Sequence, residues 1–83
     1  MRIVVQSRIV GTFLGYAPGL VHQLDDGSAW EQVGMTEESV YRERPGCRVV
    51  FERDRHWIDV DGTSAVAEVR QYQGRRWSGP GAY

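Results

Sequence analysis

The amino-acid sequence predicts an all-β domain, a small barrel of about five to seven strongly bent antiparallel strands. Runs rich in β-branched and aromatic residues recur along the chain, and turn signals separate them at intervals of roughly 8–12 residues. No internal repeat and no heptad pattern is present. With 83 residues the chain is long enough for one domain with one small core, which we assign to residues 1–70.

Residues 2–16 predict the first strand, which is long for so small a domain. β-Branched residues are frequent here, and Gly11 and Gly15 interrupt the stretch, which favours a bend, a bulge or a close approach of two backbones. A single strand of this length has to curl, as strands in barrels do. Ala17-Pro18-Gly19 predicts the turn that follows.

Residues 20–33 predict a β-hairpin centred on Asp26-Gly27. Both positions of a two-residue hairpin turn need positive φ, which Gly adopts freely and Asp tolerates. This register places His22 directly opposite Glu31. We interpret that pair as structural, either an ion pair or a half-buried polar pair, rather than as acid–base chemistry. One face of the hairpin then carries His22 and Glu31 together with Leu20, Leu24, Ala29 and Val33.

The segment 34–39 predicts a loop that has room for a single helical turn. Thr36 is a suitable N-cap, and Glu37 and Glu38 follow it at the positive end of such a turn. Residues 40–44 then predict a short strand that ends at Pro45-Gly46.

Three further strands are predicted over residues 48–53, 56–60 and 64–70, with turns at Asp54-Arg55 and Asp61-Gly62. With two-residue turns, alternation divides these strands into two faces. The core face carries Val49, Phe51, Ile58, Val60, Ala65 and Ala67, and the opposite face carries Val50, Trp57 and Val66 side by side.

The remaining residues, 71–83, are rich in glycine and include one proline. Such composition at a chain terminus is typical of a flexible segment, so we predict a flexible C-terminal tail.

Residues 8–32 largely match the pattern Arg-Ile-x-Gly-x-Phe-x-Gly, an apolar strand, and then Leu-Asp-Asn-Gly-Gln-x-Trp-x-Gln. The matching residues are Arg8, Ile9, Gly11, Phe13, Gly15, Leu24, Asp25, Gly27, Trp30 and Gln32. The chain thereby resembles a family of small bacterial domains of unknown function, loosely over residues 8–70 and sharply only over 8–32. His22 and Asp26 depart from the family, which usually has an aromatic residue and Asn at these positions.

The resemblance implies an SH3-like barrel and no established activity. Its residues form turns and pack the core, so it implies a fold rather than a site. An OB-like barrel is the alternative architecture.

The residues that usually carry catalysis are sparse and scattered. His22 and His56 lie far apart without metal-ligand spacing, and Cys47 is the only cysteine, so no internal disulfide forms. No phosphate-binding glycine loop or nucleophile elbow is present. We therefore predict a protein that is not an enzyme, with no catalytic residue, no metal and no cofactor.

Charge and hydropathy narrow the partners and the compartment. The net charge is −1 and every basic residue is Arg, so the whole chain has no electrostatic attraction to nucleic acid or to an anionic membrane. No apolar run approaches the roughly 20 residues that span a bilayer, and the N-terminus lacks the apolar core of a signal peptide. We expect a cytoplasmic protein without a membrane partner.

Aromatic residues are frequent for so short a chain, and they suggest a binding surface. Trp57 is the strongest candidate because Val50 and Val66 extend it into an exposed apolar strip, while Trp30 and Tyr41 either bind a partner or cap the core. The sequence thus predicts a non-catalytic protein-interaction module, acting by self-association or as an adaptor or inhibitor of another protein.

The alternative is a single-stranded nucleic-acid-binding barrel that uses Arg42, Arg44 and Arg53 together with neighbouring aromatic rings. Acidic residues alternate with these arginines, which favours cross-strand ion pairs instead. A small hydrolase or metal protein is a third hypothesis.

Overall fold

The computed structural model describes residues 1–73, which form eight antiparallel β-strands. The predicted all-β class is confirmed, with one strand more than the upper end of the predicted range. Within residues 1–73, no helix is long and apolar enough to cross a membrane. The strands are β1 (Arg2–Arg8), β2 (Thr12–Tyr16), β3 (Val21–Gln23), β4 (Ala29–Gln32), β5 (Glu38–Glu43), β6 (Gly46–Glu52), β7 (Arg55–Val60) and β8 (Ala67–Gln71).

Two sheets share these strands. Six of them hydrogen-bond in the order β1-β6-β7-β8-β4-β3, and β2 pairs with β5 in a separate two-stranded sheet. Among the described residues these strands do not close into a continuous hydrogen-bonded barrel.

The two sheets are joined by one bent ribbon. β1 pairs with β6 and β2 pairs with β5. Between these ladders the N–H of Ile9 donates to the carbonyl of Pro45, and the N–H of Arg44 donates to the carbonyl of Gly11, both at 2.9 Å. Gly11 has a φ of 78°, which permits the bend. The long strand predicted over residues 2–16 is therefore two strands, β1 and β2, on either side of this bend.

The end of the six-stranded sheet formed by β3 contacts the bend between β1 and β2 over a few residues. Ile9 forms an isolated bridge with Leu24, and the N–H of Val10 donates to the carbonyl of Gln23 at 2.9 Å. The N–H of Asp25 adds a bond to the carbonyl of Arg8. These contacts bring the β3–β4 hairpin against the junction of β1 and β2.

The β3–β4 turn is longer than predicted. The N–H of Leu24 donates to the carbonyl of Ser28 at 2.9 Å, which leaves three residues, 25–27, in the loop. Only Gly27 among them has positive φ, at 92°. The carboxylate of Asp26 accepts hydrogen bonds from the N–H and the hydroxyl of Ser28, and this local bonding favours the wider turn.

The extra loop residue shifts the hairpin register by one. His22 pairs with Trp30, so the predicted His22–Glu31 pair is wrong. Glu31 instead lies opposite Val21 and accepts a hydrogen bond from Arg70 at 3.0 Å. Since opposite residues share a face, His22 and Trp30 both enter the core.

The β6–β7 turn lies one residue earlier than predicted. Arg53 and Asp54 form it, with φ values of 58° and 63°, which are typical of a two-residue type I′ turn. Moving the turn by one residue shifts the pairing of β6 with β7 by two positions. Because side chains alternate with a period of two, every residue of both strands keeps its predicted face. Val49 and Ile58 are fully buried opposite one another, and Val50 pairs with Trp57 on the other face.

The connection from β7 to β8 is longer than a two-residue turn, because β8 begins only at Ala67. Trp57 therefore pairs with Glu68 and not with Val66. Gln71, assigned above to the tail, is the last residue of β8 and pairs with Trp30. The predicted flexible tail otherwise falls largely on residues 74–83, which lie outside the described residues.

The loop after β4 forms no helical turn, contrary to the option left open above. The buried Gln32 side chain holds it instead, because its Nε2 donates to the carbonyls of Gly34 at 3.2 Å and Thr36 at 2.6 Å. These carbonyls are thereby satisfied without helical bonding.

The core lies between the bent ribbon and the inner face of the six-stranded sheet. The Tyr16 hydroxyl connects the two layers by accepting the N–H of Val60 at 3.1 Å and contacting the Thr63 hydroxyl at 3.0 Å. Burial raises the pKa of Tyr16, so this hydroxyl stays protonated at neutral pH. The buried apolar residues are Ile9, Phe13, Tyr16, Leu24, Trp30, Cys47, Val49, Ile58, Val60, Ala67 and Val69.

Candidate functional site

An open concavity of about 400 Å³ lies on the outer face of the six-stranded sheet, across β1, β6 and β7 and the approach to β8. Its apolar lining comprises Met1, Ile3, Val50, Trp57 and Val66, which we call the Trp57 concavity. The structure therefore brings Val50, Trp57 and Val66 together, although Val66 precedes β8 and does not pair with Trp57. Charged side chains also line it, namely Arg48, Glu52, Arg53 and Asp59.

The indole of Trp57 is half-buried and held in place at one end. Its Nε1 donates to the carbonyl of Glu52 at 3.3 Å, across the β6–β7 hairpin. The hydrogen bond satisfies the only polar atom of the ring, which leaves an apolar surface towards the concavity. Val66 is 44% exposed and Ile3 is 50% exposed, so the apolar side chains that line the concavity with Trp57 are open to a partner.

The charged residues around the Trp57 concavity are balanced in sign. Arg48 lies 3.3 Å from the carboxylate of Asp59, and Arg53 lies 3.9 Å from that of Glu52. Exposed pairs of this kind stabilise the fold by only about 0–1 kcal/mol each. Since they are weak, these side chains are free to exchange partners when another surface approaches.

Of the other two predicted partner-binding residues, neither lies in this concavity. Trp30 is only 3% exposed and its indole Nε1 donates to the Ser28 hydroxyl at 3.0 Å, so it packs in the core instead of on a surface. Tyr41 is exposed on β5, in the two-stranded sheet, and does not line the concavity. The register shift explains Trp30, because it moves that side chain to the inner face.

The three arginines of the nucleic-acid hypothesis do not converge. Arg42 is on β5 and Arg44 follows it, whereas Arg53 is at the opposite end of the seven-residue β6. Seven strand residues span about 23 Å. Arg44 also pairs with Asp25 at 3.2 Å, which partly neutralises it.

His22 is a buried titratable side chain in the core. It is 5% exposed, and its ring centroid lies 5.7 Å from that of Phe13 and 6.2 Å from that of Tyr16. Its Nε2 is buried without a hydrogen-bond partner. Burial lowers the pKa of His22, so the imidazole is neutral in the folded protein.

Stability is therefore expected to fall on acidification. The unfolded chain takes up a proton at His22 near the ordinary pKa of 6.5, while the folded protein resists it. The stability that comes from keeping His22 neutral is fully present above pH 6.5, and it is lost as the pH falls through the lowered pKa of the folded protein. Urea titrations between pH 5 and 8 are expected to show this loss in the wild type and in His56→Gln, and a smaller loss in His22→Leu. An unchanged slope in His22→Leu contradicts the assignment.

The cysteine is an inert packing residue. Burial, aided by the negative charge of Asp61, raises the pKa of the Cys47 thiol to about 11, so thiolate is scarce at neutral pH. Over residues 1–73, no group of three or more His, Cys, Asp or Glu side chains is placed to hold a metal ion.

Sequence reasoning missed Ile3 and Met1 as part of the concavity. Ile3 reaches it because β1 pairs with β6, where Ile3 lies opposite Val50. That pairing joins strands more than 40 residues apart, and no local pattern specifies it. The exposed β-branched residues at the start of the chain were the only available signal.

The chain matches no protein-family model, no curated protein and no solved structure. The resemblance carried by residues 8–32 therefore stays a prediction.

Proposed function

We propose that this chain is a non-catalytic protein-interaction module that binds through the Trp57 concavity. The observation that carries the proposal is the convergence of Ile3, Val50, Trp57 and Val66, from separate segments of the chain, in one open apolar surface. Small soluble domains seldom leave connected apolar surface of this kind exposed unless a partner covers it.

The make-up of the concavity also fits an interface. An apolar centre with a charged rim is the usual anatomy of protein–protein contacts. A tryptophan at the centre is the residue type that most often dominates binding energy there. The Trp57 concavity has both properties. Its centre is Trp57 with aliphatic side chains beside it, and the Arg48–Asp59 pair lies at its rim.

We propose an SH3-like barrel as the finer description of the fold, with an OB-like barrel as the alternative. The support is the bent β1–β2 ribbon and the single bridge at Ile9–Leu24, which together curve the two sheets towards each other. Barrels of this type commonly use a surface strip of aromatic residues to bind extended peptides.

A charge placed in the concavity tests the function. Val66→Glu is expected to weaken self-association or capture of a protein partner at least tenfold, because it puts a carboxylate into apolar surface that a partner desolvates. Trp57→Ala is expected to do the same. Light scattering and quantitative affinity capture measure these effects, and the exposed apolar Leu14 in β2 provides the control Leu14→Glu.

Unchanged thermal unfolding of Val66→Glu shows that the fold is retained, since exposed substitutions usually change stability by less than about 0.5 kcal/mol. The proposal fails if Val66→Glu and Trp57→Ala both leave the oligomeric state and every captured protein as in the wild type.

The nucleic-acid hypothesis is the second candidate, and the separation of Arg44 from Arg53 gives it less support. It requires salt-dependent binding to a single-stranded oligonucleotide that weakens when Arg42, Arg44 and Arg53 are replaced by Gln. Absence of binding at low salt removes it.

A further inference from the structure

β1 is an edge strand with an open side. Within residues 1–73 it is the first strand in the six-stranded order, pairs only with β6, and is seven residues long. Except at Arg8, whose carbonyl accepts the N–H of Asp25, no described strand pairs with its outer edge. Proteins commonly protect such edges with charged side chains, proline or β-bulges. β1 contains no lysine or proline, its arginines stand at its two ends, and its register shift is at Val4.

The centre of β1 is apolar and exposed. Ile3 is 50% exposed, and Val4 is 40% exposed because the register shift between Ile3 and Val5 leaves Val4 without a partner in β6. Unpaired backbone groups beside exposed β-branched side chains form a template for another strand.

We propose that the chain forms a two-fold symmetric dimer in which β1 pairs antiparallel with β1 of a second copy. This inference rests on the proposed function and names a second copy of the chain as a partner. A symmetric contact uses the same patch on both subunits, so the patch must complement itself.

The sequence of β1 meets that requirement in one register. Ile3 and Gln6 pair with Val50 and Arg48 of β6, which both line the Trp57 concavity, so they share that face of the sheet. Pairing Ile3 with Gln6 of the second copy keeps these side chains together. It also places Val4 opposite Val5, and Arg2 opposite Ser7.

This register separates the like charges of β1. Centring the contact on Val5 would set Arg2 against Arg8, and like charges directly opposite one another destabilise a sheet. In the proposed register Arg2 instead faces Ser7.

The dimer has a consequence for the binding site. Because the two-fold axis is perpendicular to the joined sheet, both Trp57 concavities lie on the same face, next to the axis. Ile3 of each copy lies between them. Two shallow concavities thereby become one continuous apolar trough, which a single partner segment can occupy.

Opposite charges at Val4 provide a selective test. Light scattering is expected to give twice the 9.4 kDa chain mass for the wild type and the monomer mass for Val4→Lys and Val4→Glu separately. An equimolar mixture of these two variants is expected to recover the dimer, because the charges meet near the axis. Recovery also shows that both variants are folded.

A cysteine provides a second test, since the one native cysteine is buried and inert. Val4→Cys is expected to form a disulfide-linked dimer under mild oxidation. The Cα atoms of residues near the axis of an antiparallel contact lie within the roughly 4.4–6.8 Å that separates the Cα atoms of disulfide-bonded cysteines. Leu14→Cys, on β2 and more exposed than Val4 (66% against 40%), is the control and is expected to cross-link much more slowly.

The proposal is overturned by a monomeric wild type, by a Val4→Lys protein that stays dimeric, or by equal cross-linking of both cysteine variants. The experiments distinguish failure of the dimer from failure of the proposed function. Loss of a captured partner in Val66→Glu but not in Val4→Lys, with a monomeric wild type, removes the dimer and keeps the interaction module. If instead Val66→Glu has no effect on partner capture and the wild type forms a dimer that Val4→Lys disrupts, the interaction module is removed and the dimer is kept.

Discussion

Gly15→Ala is expected to destabilise the domain by about 3 kcal/mol, a large part of the 5–15 kcal/mol typical of whole proteins. Gly15 pairs with Ser39 of β5 at a φ of 124°, a conformation that residues with a side chain rarely adopt. An added Cβ would also overlap the backbone carbonyl of Glu38, which has no flexible atom to move aside. The β2–β5 ladder would have to separate. Urea unfolding followed by tryptophan fluorescence measures the loss.

Gly11→Ala is the matched control. Gly11 also has positive φ, at 78°, but an added Cβ would meet nothing within 4 Å. Only the conformational cost of about 1–2 kcal/mol applies there. Equal losses in the two variants would show that backbone conformation alone, and not the approach of β5, requires glycine at position 15.

Trp30→Ala is expected to destabilise the domain by about 3–5 kcal/mol, the usual cost of deleting a buried aromatic side chain. Trp30 is nearly inaccessible, lies 5.3 Å from the ring of His56 between centroids, and pairs with both His22 and Gln71. Its loss would leave a cavity where β3, β4 and β8 meet. Thermal and urea unfolding report this effect.

Trp57→Ala separates the two roles that tryptophan plays in this fold. Because the Trp57 indole is half-buried on the outer face, its removal is expected to cost less than half as much stability as Trp30→Ala, while abolishing partner binding. A Trp30→Ala protein as stable as the wild type would return Trp30 to the surface and contradict the observed register.

The faces of the central strands were predictable from sequence because they depend only on alternation. Val49 and Ile58 point inwards and Val50 and Trp57 outwards whether the turn is at Asp54-Arg55 or one residue earlier. The β3–β4 register was not predictable in the same way. There the hydrogen bonds that Ser28 donates to the Asp26 carboxylate favour a loop longer by one residue, and this odd shift exchanges the two faces of β4.

The candidate site was predicted in part for the same reason. Val50 and Trp57 belong to consecutive strands, so alternation places them together, whereas Val66 reaches the concavity from the connection that precedes β8. Its remaining wall, Ile3, depends on the pairing of β1 with β6, which only the folded chain specifies. The arginines look clustered in sequence but are spread along a strand, since residues separated by β6 are as far apart as that strand is long.

The strand order also determines when this fold can be completed during synthesis. β8, the eighth strand along the chain, lies inside the six-stranded sheet, between β7 and β4. Until residues 67–71 leave the ribosome, the β3–β4 hairpin has no strand to join it to β7, and both flanking edges are exposed. A nascent chain therefore carries unpaired strand edges until β8 emerges and joins both halves of the sheet in one step.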